Sequence, residues 1–147
     1  RMVARIHAAL PQAVIAGFEL QEQLLDRVEA MVGFVAAPPL GAALTLGTGG
    51  TLVELQADSA VELCPLSADD ATALLATTRL GKYLGGYRNL IAPTNPAPLA
   101  LLAANLSKLA ADLGDLITEC DLNPVLVSKG SGEVRVVDAL LSATPPP

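Results

Sequence analysis

A chain of 147 residues is long enough for one domain with a sizeable core. Hydrophobic residues make up 52% of it and aromatic residues only 3%, so the core is expected to be aliphatic. The net charge of −6 argues against a nucleic-acid surface, and no apolar run approaches the roughly 20 residues of a membrane helix, so we expect a soluble protein.

The first third of the chain predicts one helix and two strands. Residues 1–10 carry apolar side chains near helical spacing, which is typical of an amphipathic helix. Residues 17–23 and 28–35 both alternate, and this pattern predicts two antiparallel strands joined by a short turn. Glu29, in the second of them, points away from the face of its apolar neighbours.

A glycine cluster, Gly47-Thr48-Gly49-Gly50, joins the next two predicted strands, residues 42–46 and 51–55. Glycines tolerate positive φ and let ligand oxygens approach backbone N–H groups, so such a turn can form an anion-binding nest. Its spacing is neither that of a dinucleotide-binding loop nor that of a P-loop. Taken alone, the cluster favours a simple hairpin turn over a ligand-binding loop.

The middle of the chain predicts a strand, a helix and a loop. Residues 58–63 form a short β-like run, and Ser67 and Asp70 have the spacing of a capping box that starts a helix. Residues 81–89 are rich in glycine and tyrosine and predict an irregular loop. Arg88 in this loop can hold an anion or bridge to a partner, although an exposed surface arginine is the default interpretation.

Three polar side chains recur at every second position late in the chain. They follow a long helix predicted over residues 99–113, whose leucines recur at helical spacing and should pack on a sheet. The side chains are Glu119, Asp121 and Asn123, inside an otherwise apolar segment. If this segment is a strand, all three project from one face of it.

A hairpin is predicted to bring a fourth polar residue beside them. Residues 133–138 form a β-like run that ends in Asp138, and a glycine-containing turn precedes it, so Asp138 is expected beside Asn123. A carboxylate and an amide oxygen on adjacent strands suit Mg²⁺, whose shell substrate phosphates and waters then complete. The residues alone favour the plainer interpretation, in which Asp and Asn end strands and cap a turn.

The counts of cysteine and lysine argue against a disulfide framework, a zinc site and a self-sufficient nucleotide site. Cys64 and Cys120 are too few for a disulfide framework and lie among apolar residues, which is typical of buried free thiols in a reducing cytoplasm. No Cys or His cluster suggests zinc. There are only three lysines, whereas a self-sufficient nucleotide site normally includes cations that grip phosphates.

The motifs occur in a recognisable order along nearly the whole chain. They are Gln21-Glu22, Glu29 with Val32-Gly33, Gly47-Thr48-Gly49-Gly50 with Val53-Glu54, Asp58, Pro65-Leu66, Gly86-Tyr87-Arg88, Glu119-Cys120-Asp121-Leu122-Asn123-Pro124 and Val136-Val137-Asp138-Ala139. This order resembles the ATP-grasp portion of NDP-forming acyl-CoA synthetases, relatives of the β half of succinyl-CoA synthetase. The expected fold is α/β (α+β), with a mixed, mostly antiparallel sheet and helices packed on one side.

The resemblance implies roles for particular residues. Asn123 and Asp138 are expected to bind Mg²⁺ with ATP or ADP (or GTP or GDP), and Asp121 to steady a phosphohistidine during catalysis. The residues expected to contact the nucleotide are Gly47, Gly49, Gly50, Glu54 and Arg88. The implied reaction converts acyl-CoA, ADP and phosphate into acid, CoA and ATP. The implied partners are acyl-CoA and the CoA-binding and phosphohistidine domains, within the same chain or an oligomer.

The chain departs from the family pattern in two ways. Residues 36–41, AAPPLG, replace an Asp-Pro-x-Phe-Gly-Pro segment and so lack its acid and its aromatic ring. The N-terminal ATP-grasp subdomain is also missing. We therefore expect residues 1–142 to be a C-terminal subdomain cut from a longer chain, followed by a linker-like tail at residues 143–147. Such a segment is expected to fold without turning over on its own.

Two other functions remain open from the sequence. The same domain can serve regulation inside a protein lysine acetyltransferase, in which case an acetyltransferase domain would follow the proline-rich tail. It can also be a binding or assembly module whose carboxylates are purely structural. Nucleotide affinity in the presence of magnesium separates this last possibility from the other two.

Overall fold

A computed structural model describes residues 1–50 and 57–144 of the chain. It begins with helix α1, Met2–Ala9, which confirms the first predicted helix. None of the residues of α1 is buried, and residues 10–26 follow it without helix or strand. The N-terminal segment therefore contributes little to the core described below.

The described residues contain one sheet of six strands, and every pair in it is antiparallel. The strands are β1 (Arg27–Ala36), β2 (Ala42–Thr48), β3 (Ser59–Leu63), β4 (Ile117–Ser128), β5 (Val134–Val136) and β6 (Ala139–Ala143). Their order is β3-β2-β1-β4-β5. Strand β6 also pairs with β4, but at residues 117–122, whereas β5 pairs at residues 125–127. This architecture confirms the prediction of a mostly antiparallel sheet.

Three helices follow β3 in the chain: α2 (Ala68–Thr77), α3 (Arg79–Leu84) and α4 (Ala97–Leu113). The predicted capping box is present at the start of α2, where Ser67 and Asp70 exchange hydrogen bonds between side chain and backbone. Helix α4 covers the whole of its predicted range, residues 99–113, begins two residues earlier, and lies against β1, β2 and β4. The helices thus cover one face of the sheet.

The core lies between that face and the helices, and it is aliphatic as expected. Its largest fully buried side chains are Phe34, Leu44, Leu46, Leu75, Leu84, Leu99, Val32, Val125 and Val127. The other face of the sheet carries the alternate residues, which include the largely exposed Val35 and Val61. We call this second face the open face.

Two local predictions are wrong. Residues 17–23 form no strand, because β2 and β4 already occupy both edges of β1 and leave it no edge for a further partner. Residues 81–84, the first part of the loop predicted over residues 81–89, belong to helix α3, because Thr78 and Asp58 supply hydrogen-bond acceptors at its start. The Thr78 hydroxyl accepts a hydrogen bond from the Gly81 N–H, and Asp58 supplies further acceptors.

The C-terminal end of the described region is part of the sheet. Ala143 still belongs to β6, and the Thr144 N–H donates to the Leu116 carbonyl, so ordered structure extends two residues past the predicted boundary. Residues 145–147 lie outside the described region. No helix within residues 1–50 and 57–144 has both the length and the apolar character needed to span a membrane.

Candidate functional site

Strand β4 presents its polar side chains on the open face. Cys120 and Leu122 are buried in the core, whereas Glu119, Asp121 and Asn123 alternate with them and are only partly covered. The alternation predicted from the sequence is therefore present. The Ser142 hydroxyl of β6 donates to a Glu119 carboxylate oxygen at 3.4 Å.

The hairpin from β4 through β5 returns Asp138 to the level of Asn123. Leu122 pairs with Ala139, and Val125 pairs with Val136, so the residues between these pairs face each other. Asp138 thus lies between β5 and β6, opposite the Asn123 position. One Asp138 carboxylate oxygen, Oδ1, accepts a hydrogen bond from the Ala139 N–H at 2.8 Å, which leaves the other oxygen for a ligand.

A β-bulge lies at Asn123. The β1 register passes from Ala30 opposite Val125 to Val32 opposite Leu122, so β4 has two residues where β1 has only Met31. A bulge bends its strand and redirects the side chains beside it. It therefore affects the direction of the Asn123 side chain.

The glycine turn contacts Asn123 directly. The Gly50 N–H donates to the Asn123 side-chain oxygen, Oδ1, at 2.9 Å. An amide oxygen has two lone pairs, so this bond orients the side chain and leaves one acceptor site free. The turn and the predicted metal ligand, 73 residues apart in sequence, thus form one structural unit.

The glycines of this turn are needed where backbone or side chains approach closely. A side chain at Gly47 would overlap the Asp58 carbonyl, and one at Gly49 would overlap the Ala30 carbonyl. Gly50 has φ of +84°, which disfavours other residues. Close packing alone therefore explains why positions 47 and 49 are glycines. Gly50, in addition, donates the hydrogen bond that orients Asn123.

Glu29 is a residue of this site that the sequence did not identify as functional. The space where Gly50 would carry a side chain is filled by the Glu29 carboxylate, so this acid lies against the glycine turn. Its position on the open face follows from the alternation along β1. Its contact with Gly50 depends on the tertiary fold and has no local signal.

Asp121 lies in an unfavourable electrostatic environment. Desolvation by burial raises the pKa of Asp121, and the nearby Glu119 and Asp138 carboxylates raise it further. Gly33 stands opposite Asp121 on β1, and a methyl group there would come within 3.1 Å of the Asp121 Oδ1 atom and 2.9 Å of the Cys120 carbonyl. The absence of a side chain at Gly33 therefore makes room for Asp121.

Asp58 connects the glycine turn to helix α3. Its carboxylate accepts hydrogen bonds from the Thr48 hydroxyl at 2.6 Å, the Arg79 N–H at 2.7 Å and the Leu80 N–H at 2.9 Å. Burial alone would raise the pKa of Asp58, but these hydrogen bonds and the Arg79 charge outweigh it and lower the pKa. Asp58 therefore stabilises the end of β2 and the start of α3 together.

Arg88, which is expected at the nucleotide, makes no hydrogen bond or ion pair with this cluster among the described residues. Arg88 is exposed with φ of +51°, and its guanidinium lies 5.1 Å from the centre of the Tyr87 ring. Glu54 and the whole of the strand predicted over residues 51–55 lie outside the described residues.

The donor set fits a magnesium ion carried by a nucleotide better than a metal held by protein alone. Within residues 1–50 and 57–144, no three His, Cys, Asp or Glu side chains gather closely enough to hold a metal. Asn123 and Asp138 offer one amide oxygen and one carboxylate, both hard donors. Mg²⁺ is often bound by one or two such groups, with phosphate and water oxygens completing its shell.

Comparison with known proteins gives a consistent set of similarities. The ATP-grasp domain family matches residues 1–142. The beta subunit of acetate–CoA ligase [ADP-forming] II from Pyrococcus furiosus is 35% identical over 130 residues, which are 88% of this chain and 54% of that subunit. The chain thus spans about half the length of this relative.

Solved structures show the same fold. The crystal structure of PH1788 from Pyrococcus horikoshii Ot3 has a TM-score of 0.78 and 28% identity, covering 99% of this chain and 60% of that one. The dinucleotide-forming acetyl-coenzyme A synthetase 1 of Ca. Korarchaeum cryptofilum, in complex with coenzyme A and Mg-AMPPCP, has a TM-score of 0.73 and 27% identity, covering 82% and 55%. In that complex the phosphohistidine segment points towards the nucleotide binding site.

Proposed function

This chain belongs to the ATP-grasp domain family, and from that membership we propose that residues 1–142 are the nucleotide- and magnesium-binding C-terminal subdomain of an NDP-forming acyl-CoA synthetase. The complete protein converts acyl-CoA, ADP (or GDP) and phosphate into acid, CoA and ATP (or GTP) through a phosphohistidine. The single observation that carries this proposal is the position of Asp138 opposite Asn123 on the open face.

Asn123 and Asp138 are the proposed metal ligands. When bound there, magnesium would neutralise charge on the nucleotide phosphates, and such neutralisation, together with positioning, is what phosphoryl transfer requires of the protein. The Gly50 N–H holds the Asn123 amide in one orientation, so its free lone pair is preorganised for a ligand. The free oxygen of Asp138 supplies the second donor.

Asp121 is the proposed catalytic residue. Its carboxylate would accept a hydrogen bond from a ring N–H of the partner histidine and so orient that ring. The repulsion from Glu119 and Asp138 supports this role, because an N–H donor or a cation beside Asp121 relieves an unfavourable charge. Catalytic groups often have perturbed pKa values of this kind.

The remaining partners follow from the reaction. We propose that CoA-binding and phosphohistidine domains, in the same polypeptide or in a partner subunit of an oligomer, complete the site over the open face. The two free thiols support a reducing cytoplasm as the location; Cys120 is buried and Cys64 is partly covered. Burial raises the pKa of both thiols, which keeps them unreactive.

A magnesium-dependent titration with ADP tests the proposed metal ligands. In the full-length protein, Asn123→Ala and Asp138→Ala are each expected to weaken binding of ADP in the presence of magnesium by about 10-fold to 100-fold, since each removes one metal donor. ADP without magnesium should bind all variants alike. Isothermal titration calorimetry gives both affinities.

Glu133→Ala is the matched control, because Glu133 lies on the same hairpin but is ion-paired with Arg135 at 2.7 Å. This control should bind magnesium and ADP as the wild type does. Equal affinity in wild type, Asn123→Ala and Asp138→Ala would instead favour a binding or assembly module whose polar residues are structural.

A further inference from the structure

Glu29 contacts the glycine turn through both its backbone and its side chain. The Gly49 N–H donates to the Glu29 carbonyl at 3.0 Å, which continues the ladder between β1 and β2 past its last residue pair, Ala30 with Thr48. The Glu29 carboxylate fills the space beside the Gly50 Cα atom where another residue would carry its side chain. Contacts at two successive glycines therefore hold this carboxylate at the end of the turn.

Gly50 joins Glu29 to one of the proposed metal ligands. Its N–H donates to the Asn123 Oδ1 atom at 2.9 Å, while the Glu29 carboxylate lies against the same residue. A side chain that accepts a hydrogen bond from a magnesium-bound water lies roughly 4 to 5 Å from the ion. A carboxylate one residue away from Asn123 is placed for such a contact.

The charge of Glu29 is not neutralised by a basic side chain. The two ion pairs found among the described residues involve the acids Asp26 and Glu133, and neither includes Glu29. Arg27, two positions earlier on the same strand, makes no ion pair with it within the described part of the chain. Residues 51–56, which lie outside that part, contain no Lys, Arg or His. An unpaired carboxylate of this kind attracts a cation, and a divalent ion more strongly than a monovalent one.

We propose that Glu29 is a positioning residue of the magnesium site, whose carboxylate accepts hydrogen bonds from waters bound to the ion. Mg²⁺ gives up its waters reluctantly and usually keeps several of them, so acceptors around these waters help to hold the ion in place. Groups that hydrogen-bond to the ligands of a metal commonly contribute about 10-fold to 100-fold to its affinity. The inference rests on the proposed function, because it requires a metal ion at Asn123 and Asp138.

Calorimetric titrations of the full-length protein with ADP, with and without magnesium, test this role. Glu29→Gln keeps the size of the side chain and removes its charge, so it is expected to weaken binding of ADP in the presence of magnesium by about 10-fold. Without magnesium, the same variant should bind ADP as tightly as the wild type or more tightly, because a negative charge near the phosphates is gone. The two titrations therefore change in different directions.

Glu62→Gln is the matched control for the loss of one negative charge. Glu62 is an exposed glutamate of the same sheet, but it stands opposite Leu44 and so belongs to the face that the helices cover. This control should leave both affinities within about twofold of the wild type at 0.15 M salt, where exposed charges more than roughly 8 Å apart are largely screened. A loss that occurs in Glu29→Gln and not in the control is specific to the glycine turn.

Thermal unfolding without ligands separates this role from simple support of the turn. Glu29→Gln preserves the shape of an exposed side chain, so its Tm should lie within about 2 °C of that of the wild type. A lowered Tm together with weaker ADP binding both with and without magnesium would show that Glu29 only packs against the turn. Equal magnesium-dependent affinity in Glu29→Gln and wild type would also overturn the proposal.

Failure of this inference is distinguishable from failure of the proposed function. If Asn123→Ala and Asp138→Ala lose magnesium-dependent ADP binding while Glu29→Gln retains it, the role of Glu29 is refuted and the proposed metal ligands stand. If only Glu29→Gln loses this binding, the ion lies away from Asn123 and Asp138, and both proposals are refuted. Loss in all three variants, with the Glu62→Gln control unchanged, is the result that we expect.

Discussion

Asp121→Asn in the full-length protein is expected to lower CoA-ligase turnover by about 100-fold to 1000-fold without destabilising the fold. The amide keeps the shape of the side chain but removes the charge that would orient and stabilise a histidine ring beside it. Steady-state assays with ADP, phosphate and acyl-CoA measure this loss. The KM for ADP should change little, because Asp121 is not one of the proposed metal ligands.

The same substitution should slightly stabilise the protein at neutral pH. Burial, Glu119 and Asp138 raise the pKa of Asp121, so the folded state holds this proton more tightly than the unfolded chain does. Stability from this residue is therefore present at acid pH and is lost as the pH rises through the raised pKa. Asn carries no charge and avoids this loss.

Chemical unfolding at pH 7 and below pH 4 measures that difference, and Asp115→Asn on the exposed segment after α4 is the control. Asp121→Asn should be at least as stable as the wild type at pH 7, and the two should converge below about pH 4. Full turnover by the Asp121→Asn protein would show that Asp121 has no catalytic role. A large loss of stability would show that its carboxylate is structural.

Asp58→Asn is expected to destabilise the fold by about 2 to 3 kcal/mol. The carboxylate accepts from the Thr48 hydroxyl and from two backbone N–H groups at the start of α3. An amide has one oxygen in place of two and no charge, so at least one of these donors loses its acceptor. The free energy of unfolding in urea measures the effect.

The stability that the Asp58 carboxylate contributes is expected to fall at acid pH. The pKa of Asp58 is lowered in the folded state, so its stabilisation is present above the unfolded pKa of about 3.9 and disappears as the pH falls through the lower, folded value. The difference between wild type and Asp58→Asn should therefore shrink in acid. Thr48→Val, which removes one of the donors, should cost less than Asp58→Asn. An Asp58→Asn protein within about 0.5 kcal/mol of the wild type would show that these hydrogen bonds contribute little.

The elements that the sequence predicted well are those with a local signal. The alternation of Glu119, Asp121 and Asn123 revealed both β4 and its polar face, and the glycine-containing turn after it revealed the hairpin to Asp138. The pair Ser67 and Asp70 likewise marked the start of α2. In each case the determining contacts join residues that are close in sequence or follow one period.

The features that the sequence missed depend on distant contacts. The Asp58 carboxylate, 21 residues before Arg79, accepts hydrogen bonds at the start of helix α3. Because this contact is distant in sequence, the glycine-rich residues 81–84 of the helix look irregular from the sequence alone. Residues 17–23 alternate like a strand, but no sheet edge is available to pair with them. The contacts of Glu29 and Asn123 with Gly50 likewise appear only when β1, β2 and β4 are assembled.

Anomalous diffraction from Mn²⁺, used in place of Mg²⁺ in crystals of the full-length protein with ADP, tests the metal assignment most directly. The predicted result is a single strong peak about 2.1 Å from both the Asn123 Oδ1 atom and an Asp138 carboxylate oxygen, with nucleotide phosphate oxygens completing the shell. A nucleotide bound with its metal ion away from these two side chains would contradict the account.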